Sequence, residues 1–410
     1  MPGIAVEVEP EAVGFDADRL RRIDTHFARY VDDGRLPGWL AVVSRHGQVV
    51  HVGSSGHRNR ETGAPIESDT IFRIYSMSKP ITSVAAMMLY EEGAFELKDP
   101  LHRYIESFRG QRVYRSGSAT APATVPATEP IRIWHLLTHT SGLTYGFQHA
   151  HPVDAMYRAA GYEWGAPEGV DLAGACDGWA SMPLLFEPGT EWNYSVSTDV
   201  LGRLVEVLSG RSLDAFLQER VFGPLGMAET AFHVGDADRD RLAAFYVAGP
   251  GRKAVPFEAM GRAALEPPAV LSGGGGLVST AHDYQRFTQF LLNRGELDGV
   301  RLLSGRTVGY MTRNHLPGGA DLEAVGRPLF AETTFDGVGF GLGFAVVLDP
   351  AANKVLSTAG SYSWGGAAST AFWVDPAEGI TATFFTQLLP SSTHPIRTQL
   401  SQLVYQALVD

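Results

Sequence analysis

WLAVVSRHGQVVHV, residues 39–52, is the stretch of the chain that decides its fold. Two runs rich in β-branched residues, 39–44 and 48–52, flank a short turn, and this pattern predicts an antiparallel hairpin. An isolated hairpin is only marginally stable in water. Its two strands therefore need partners from elsewhere in the chain.

Strand-like segments of the same kind return near the other end of the chain, separated by Asp-Pro and Gly turns. They are 344–348, 354–358, 369–374 and 380–386. We therefore expect one antiparallel sheet built from both ends of the chain, covered by an amphipathic first helix at 16–31 and a last helix at 395–408.

The middle of the chain has helical periodicity instead. Apolar residues recur at helical intervals in 78–92, 131–138, 198–208, 213–221 and 281–293. The predicted fold class is α+β, with a mainly helical domain (76–284) inserted into an α/β domain (1–75 and 285–410) and the active site in the cleft between them. The irregular segments 115–130 and 317–335 are predicted to be exposed loops.

Composition excludes several classes of function. The 410 residues carry 33 Lys and Arg against 45 Asp and Glu, a net charge of −12, which disfavours a general nucleic-acid or anionic-membrane binder. The single cysteine, Cys176, cannot form an intrachain disulfide. No apolar run approaches the ~18 residues of a membrane-spanning helix. The N-terminal residues lack a secretory pattern, so we expect a cytoplasmic protein.

The first chemical motif is Ser76-Met77-Ser78-Lys79-Pro80. Proline is tolerated in the first turn of a helix, so Pro80 predicts a helix that begins close to Ser76, with Ser76 at or near its N-cap. Lys79 then lies one turn along on the same face. A hydroxyl, an amine and a backbone N–H that could hold an anion are thereby brought together by four residues.

The choice of lysine sharpens this motif. Only four of the 33 basic residues are lysines, and the other 29 are arginines. Arginine does not deprotonate in proteins, whereas a desolvated lysine can serve as a base. The alternative interpretation is a serine N-cap beside an incidental lysine.

Two further segments are weaker candidates when taken alone. Tyr194 follows a Pro-Gly turn and precedes a predicted helix, so its phenol could point into a cleft, although most tyrosines are packing or surface residues. Gly365 and Gly366 follow Trp364 where a strand is predicted to open, and would let a substrate or another backbone approach closely. Taken alone, this segment is explained better by a β-turn beside a core tryptophan.

Together these segments resemble the serine β-lactamase and penicillin-binding-protein superfamily, and most closely the family VIII carboxylesterases, which are similar to class C β-lactamases. The resemblance runs from about residue 15 to the C-terminus. It is carried by the segments FRIYSMSKP (72–80), HLLTHTSGL (135–143), Pro188-Gly189 with Tyr194-Ser195, GGGLVST (274–280) and Trp364-Gly365-Gly366.

The resemblance implies a serine acyl-enzyme mechanism. Ser76 would be the nucleophile, Lys79 its activating partner and Tyr194 the residue that shuttles the proton between them. The backbone N–H groups of Ser76 and Ala367 would form the oxyanion hole. Trp364, Gly365 and Gly366 would contact the substrate, and no cofactor or metal is expected.

Two departures from the family pattern bear on the substrate. Penicillin-recognising relatives have Tyr-x-Asn, but the third position here is Val196, which removes an amide that would hold an acyl amide group. They also carry Lys-Thr-Gly on the strand, where this chain has Trp364. A neutral ester, with a short acyl chain, should therefore suit the site better than an anionic lactam.

Several other functions stay open at this stage. A β-lactamase or D-amino-acid peptidase, an acyltransferase to an alcohol, and a non-catalytic penicillin-binding sensor all share these motifs. His135 and His139 are spaced four apart like zinc ligands but lack the glutamate of HExxH, and packing is favoured. No Gly-x-Ser-x-Gly occurs, and the glycine run 273–276 lacks a Walker lysine.

Overall fold

A computed structural model describes residues 3–409 and contains one large antiparallel sheet of eight strands. The strands are β1 (Gly38–Arg45), β2 (Gln48–Asn59), β3 (Ala64–Pro65), β4 (Val338–Phe340), β5 (Ala345–Val347), β6 (Tyr362–Gly366), β7 (Thr370–Asp375) and β8 (Ile380–Phe385). Their order is β4-β5-β6-β7-β8-β1-β2-β3. The N-terminal hairpin joins the C-terminal strands where β1 pairs with β8, with Val42 opposite Thr383. The predicted sheet from both chain ends is confirmed.

Both faces of the sheet are covered, which explains why all eight residues of β1 are buried. The five longest helices are α1 (Arg22–Asp32), α2 (Ser78–Glu91), α3 (Ser197–Ser209), α4 (Ala281–Leu292) and α5 (Ile396–Tyr405). Helices α1 and α5 cover one face, where the Phe27 and Phe384 rings lie 4.8 Å apart. Helix α4 covers the other, with Tyr284 5.2 Å from Phe372.

The middle of the chain is mainly helical, as predicted. Further helices are Ile133–Leu137, Pro152–Ala159, Leu172–Ala180, Leu213–Leu217 and Gly305–Met311, with short turns of helix at Ala17–Leu20, Gly223–Leu225, Glu258–Gly261, Leu322–Val325 and Pro350–Asn353. Helix α2 lies at the centre, because twelve of its fourteen residues are buried. A helix buried on nearly every side carries Lys79 into the interior.

Small sheets fill the connections. Arg112–Gly117 pairs with Pro122–Pro126, Phe72–Arg73 with Val278–Ser279, Glu296–Leu297 with Val300–Arg301, and Tyr246–Ala248 with both Ala254–Pro256 and Leu388–Leu389. The first of these hairpins occupies much of 115–130, so the prediction of a plain loop there is wrong. Its low-complexity residues still form a ladder, because pairing needs only the backbone.

The predicted strand at 354–358 is also wrong. Asp349 caps a helical turn, Pro350–Asn353, by accepting hydrogen bonds from the two N–H groups that follow Pro350, and Lys354 then turns the chain with a positive φ of 60°. The next strand is β6, which contains Trp364, Gly365 and Gly366. These residues therefore form a strand of their own and do not open the strand that follows, β7. Along residues 3–409, no helix combines the length and the apolar character needed to cross a bilayer.

Candidate active site

Ser76 lies in a single 3-10 turn, Tyr75–Met77, directly before α2. Helix α2 begins at Ser78 with Met77 as its N-cap, so Ser76 lies one residue before the N-cap, and the prediction that it lies at or near this position is confirmed. The chain turns early: Tyr75 has a positive φ of 43°, and the Met77 N–H donates to the carbonyl of Ile74 at 3.0 Å. A strained non-glycine residue next to the candidate nucleophile is typical of functional turns.

The structure brings Ser76, Lys79 and Tyr194 together. Lys79 Nζ donates to Ser76 Oγ at 3.2 Å, and Tyr194 OH donates to the same oxygen at 2.5 Å. Tyr194 lies on the loop that precedes α3, as predicted. Ser76 is 9% exposed, whereas Lys79 and Tyr194 are 1% and 2% exposed. The hydroxyl therefore lies at the edge of the interior, with both of its partners behind it.

The Lys79 ammonium has two more partners, and neither is charged. It donates to Tyr145 OH at 2.8 Å and to the carbonyl of Gly274 at 2.6 Å. The same glycine's N–H donates to Asp199 Oδ1 at 3.0 Å, and Ser272 Oγ also donates to that oxygen, at 2.5 Å. Asp199 thus holds the glycine whose carbonyl accepts from Lys79, without a hydrogen bond to the amine itself.

This environment moves the proton equilibria of the site. Burial lowers the pKa of Lys79 to about 8, although the carboxylates of Asp199 and Glu332 act in the opposite direction. Burial, and then the charge of Glu332, hold the pKa of Tyr194 well above its usual range. The amine is therefore the better proton acceptor near neutral pH, while the phenol stays protonated.

Aromatic rings enclose Tyr194. Its ring centroid lies 5.3 Å from that of Trp364, 5.2 Å from that of Tyr145 and 5.2 Å from that of His139, all in edge-to-face geometry. Burial, with Lys79 as a second cause, holds the pKa of His139 well below its usual range. The imidazole is thus neutral and packs as an aromatic ring.

Strand β6 reaches the site with the face that carries Trp364 and Gly366. A Cβ at Gly366 would lie 2.3 Å from the carbonyl oxygen of Ile74, two residues before Ser76, so only glycine allows this approach. The Ser369 N–H donates to the Gly366 carbonyl at 2.9 Å and closes a turn that starts with Ala367. The Ala367 N–H takes no part in closing this turn, and it directly follows the last residue of β6.

Gly365 points the other way. A Cβ built on it would lie 2.1 Å from Nη2 of Arg397, which belongs to α5 on the opposite face of the sheet. The structure therefore places Gly365 against an arginine side chain and not beside Ser76. Among the three predicted substrate contacts, only Trp364 and Gly366 lie on the face toward the candidate nucleophile.

Sequence reasoning missed Tyr145 and Asp199. Tyr145 follows the segment Ser141-Gly142-Leu143, which was used for the resemblance, but nothing in its spacing shows that its hydroxyl meets Lys79. Asp199 sits in the first turn of α3, where an acidic residue is ordinary for a helix start. Only the fold shows that it binds the glycine run, which packs closely against it: a Cβ at Gly274 would lie 2.4 Å from Asp199 Oδ2.

The two histidines with zinc-like spacing do not form a pair. His135 Nδ1 accepts from the N–H of Arg132 at 2.9 Å, and His139 lies beyond the end of that helix with a positive φ of 54°. In the part of the chain that the structure describes, no three His, Cys, Asp or Glu side chains form a group that could hold a metal ion.

The chain is similar to known proteins in both sequence and fold. The family model described as Beta-lactamase matches residues 23–406. The chain belongs to the beta-lactamase family. An uncharacterized protein of Mycobacterium tuberculosis (strain CDC 1551 / Oshkosh) is 36% identical over 88% of both chains. Esterase EstB of Burkholderia gladioli is 33% identical over 98% of this chain and 99% of its own.

Among solved structures, EstCE1, described as a hydrolase with promiscuous acyltransferase activity, superposes with a TM-score of 0.79 at 28% identity. The match covers 95% of this chain and 98% of that one. Together with the relatives above, it confirms the resemblance to the family VIII carboxylesterases and the predicted α+β fold class.

Proposed function

We infer that this protein is a serine hydrolase that cleaves carboxylic esters through an acyl-enzyme on Ser76. The observation that carries this function is one oxygen with two partners: Ser76 Oγ accepts from both Lys79 Nζ and Tyr194 OH. The names of the relatives support it, since EstB is an esterase and EstCE1 a hydrolase.

In the acylation step, Ser76 Oγ attacks the ester carbonyl carbon and its proton passes to the neutral amine of Lys79. We assign the base to Lys79, because burial lowers the pKa of the amine and raises that of the phenol. The carbonyl oxygen becomes an oxyanion, held by the N–H groups of Ser76 and Ala367. When the C–O bond breaks, the leaving alkoxide takes the proton back from Lys79 through the Tyr194 hydroxyl.

Deacylation repeats the same steps with water as the nucleophile. Water loses a proton to the Lys79 and Tyr194 pair, its oxygen bonds to the acyl carbon, and Ser76 Oγ leaves and regains the proton. The sum is one ester and one water converted to one acid and one alcohol. No step needs a cofactor.

The preferred substrate in this proposal is a neutral ester with a short acyl chain. Trp364 stands where penicillin-binding relatives have a lysine, and its ring lies against Tyr194 and Phe340, both at 5.3 Å. This wall is aromatic and carries no cation for a substrate carboxylate. A β-lactamase or D-amino-acid peptidase is tested by comparing a neutral ester with a carboxylate-bearing cephalosporin.

The nucleophile is tested with p-nitrophenyl butyrate. Ser76→Ala should abolish hydrolysis, and intact-mass measurement of the unmodified enzyme should show a butyryl adduct that the variant lacks. Ser118→Ala, in the exposed hairpin at 112–126, is the matched control and should keep both activity and adduct. Full activity of Ser76→Ala would overturn the proposal, and a lasting adduct without turnover would favour a sensor.

Acyl transfer to an alcohol is a second candidate, favoured by the promiscuous acyltransferase activity of the similar protein EstCE1. The same acyl-enzyme would react with an alcohol in place of water. Adding increasing amounts of 1-butanol during butyrate ester turnover should then yield butyl butyrate. Unchanged yields of butyric acid at every alcohol concentration would exclude it.

We also propose that the site lies between the two domains expected from the sequence. Ser76 and Tyr194 come from the 76–284 segment, whereas Trp364 comes from the 285–410 segment. A cytoplasmic location remains a prediction from the sequence.

A further inference from the structure

An ion pair lies behind β6, on the face of the sheet away from Ser76. The Arg397 guanidinium in α5 pairs with the carboxylate of Glu332 through Nη2, and its Nη1 donates to the backbone carbonyl of Glu332 at 2.7 Å. The Glu332 side chain is fully buried, and Ser391 Oγ donates to the same carboxylate at 2.9 Å. The catalytic proposal does not use this pair.

The guanidinium also contacts the end of β6. Arg397 Nη2 donates to the carbonyl of Gly366 at 3.3 Å and to that of Thr370 at 3.2 Å. This contact requires glycine at position 365, because a Cβ there would lie 2.1 to 2.6 Å from three guanidinium atoms. The first glycine of the Trp-Gly-Gly segment therefore makes room for Arg397.

The Gly366 carbonyl and the Ala367 N–H belong to one planar peptide group. A cationic donor on the carbonyl oxygen fixes the plane of that peptide and withdraws electron density from it, which makes the N–H a stronger donor. Ala367 N–H is the group assigned to the oxyanion hole. Arg397 therefore acts on the site through a single peptide bond.

The buried carboxylate explains why the guanidinium stays in place. Glu332 binds Arg397 through both its side chain and its carbonyl, so the two donors of the planar fork are fixed together. It also balances a positive charge that would otherwise lie unpaired behind the strand. Glu332 itself is held by Ser391 and by the chain around it.

We propose that Arg397, held by Glu332, is a positioning residue that orients and polarises the 366–367 peptide for oxyanion stabilisation. This inference rests on the proposed function and deepens it, since it explains how one of the two oxyanion donors is held. It contrasts with a purely structural role, in which the pair only ties α5 and the 327–337 loop to the sheet.

The first test measures transition-state stabilisation directly. With p-nitrophenyl butyrate, Arg397→Ala should lower kcat by about 10- to 100-fold, less than the roughly 10² to 10³ for losing a donor, and leave KM within about threefold. The inhibition constant of 1,1,1-trifluoro-2-pentanone, which adds to the serine as an oxyanion, should rise by the same factor. Arg397→Lys should fall in between, because it keeps the charge but not the fork.

Gln399→Ala is the matched control on the same helix. Gln399 Oε1 accepts from Tyr30 OH at 2.8 Å and lies 3.0 Å from His26 Nε2, so it ties α5 to α1 far from β6. Its loss should lower the melting temperature without changing kcat or the inhibition constant per folded molecule. The same result for Arg397→Ala, with active molecules counted by the Ser76 adduct, would overturn the inference.

The second test displaces the guanidinium without removing it. Gly365→Ala should push Arg397 off the strand and lower kcat as Arg397→Ala does, because the clash is with the end of a flexible side chain and the fold can absorb it. In the Arg397→Ala background the space is free, so adding Gly365→Ala should cost less than twofold. A full additional loss there would assign Gly365 to substrate contact and contradict the positioning role.

These tests also separate the two levels of the proposal. If Ser76→Ala retains activity, the esterase mechanism fails, whatever Arg397 does. If Ser76→Ala is inactive while Gly365→Ala, Arg397→Lys and Arg397→Ala all match the unmodified enzyme, only the positioning role fails. If Arg397→Ala does not fold, the lysine and Gly365→Ala variants decide.

Discussion

Two cations, Lys79 and Arg397, lie on opposite sides of β6, and they differ in whether a carboxylate contacts them. On the front, the Lys79 amine contacts one hydroxyl, one phenol and one carbonyl, and none of these partners is a carboxylate. On the back, Arg397 contacts the carboxylate of Glu332. A buried amine with only neutral partners can lose its proton, whereas an ion-paired guanidinium is a permanent charge. The front of β6 is therefore suited to proton transfer, and the back is suited to holding the end of the strand in place.

We expect the largest effect when the lysine on the front of β6 is replaced by an arginine, the type of cation found on the back. Lys79→Arg should lower kcat/KM for p-nitrophenyl butyrate by at least about 10³-fold, since an arginine cannot accept the Ser76 proton. The surface variant Lys98→Arg should have no effect. Activity of Lys79→Arg within tenfold of the unmodified enzyme would mean that the amine is not the base.

The next largest effect separates the two phenols on the front. Tyr194→Phe should cost about 10²- to 10³-fold in kcat, because Tyr194 touches Ser76 and relays a proton. Tyr145→Phe should cost about tenfold, because the Tyr145 hydroxyl bonds to Lys79 and not to Ser76. Equal losses in steady-state kinetics would show that the two phenols share one role.

The pH dependence of the front comes third. Protonated Lys79 cannot accept a proton, and its pKa is about 8. We therefore expect kcat/KM to rise about tenfold per pH unit up to about 8 and to level off above it. A profile that is flat between pH 6 and 8 would assign the base to another group.

The last contrast is in stability, where we expect the two sides of β6 to respond differently. Arg397→Met should lower the free energy of unfolding by about 3 kcal/mol, because it leaves the Glu332 carboxylate buried without its cation. Lys79→Met should leave it unchanged or higher, since it removes a desolvated charge that no carboxylate contacts. Denaturant unfolding of both variants at pH 7 checks the contrast.

The sequence predicted the parts of this comparison that depend on local pattern. The hairpin at 39–52 and the strands at 369–374 and 380–386 follow from strand-like runs, such as the β-branched runs of the hairpin, that are bounded by turns. Helix α2 follows from its apolar spacing and from Pro80. The strand at β6 escaped detection because Trp364-Gly365-Gly366 has the composition of a turn, and glycine is unusual inside a strand. The need for those glycines lies in distant residues, Ile74 and Arg397.

The residues of the candidate site also fall into those that local sequence predicts and those that it does not. Ser76 and Lys79 are three residues apart, so any helix that begins near them sets their relation. Tyr145, Asp199 and Glu332 come from segments 66 to 253 residues away from Lys79, and nothing in their local sequence marks them. Their positions depend on how helices and loops pack, which no local pattern specifies.

By itself, the sequence determined the chemistry: a serine, a lysine one turn on, a tyrosine before a helix, and a sheet drawn from both ends of the chain. Only the tertiary structure decided whether Lys79 could act as a base. A lysine acts as a base when packing removes water from it without placing a carboxylate in contact, and desolvation is a property of the assembled fold. The same packing placed the arginine that holds the 366–367 peptide.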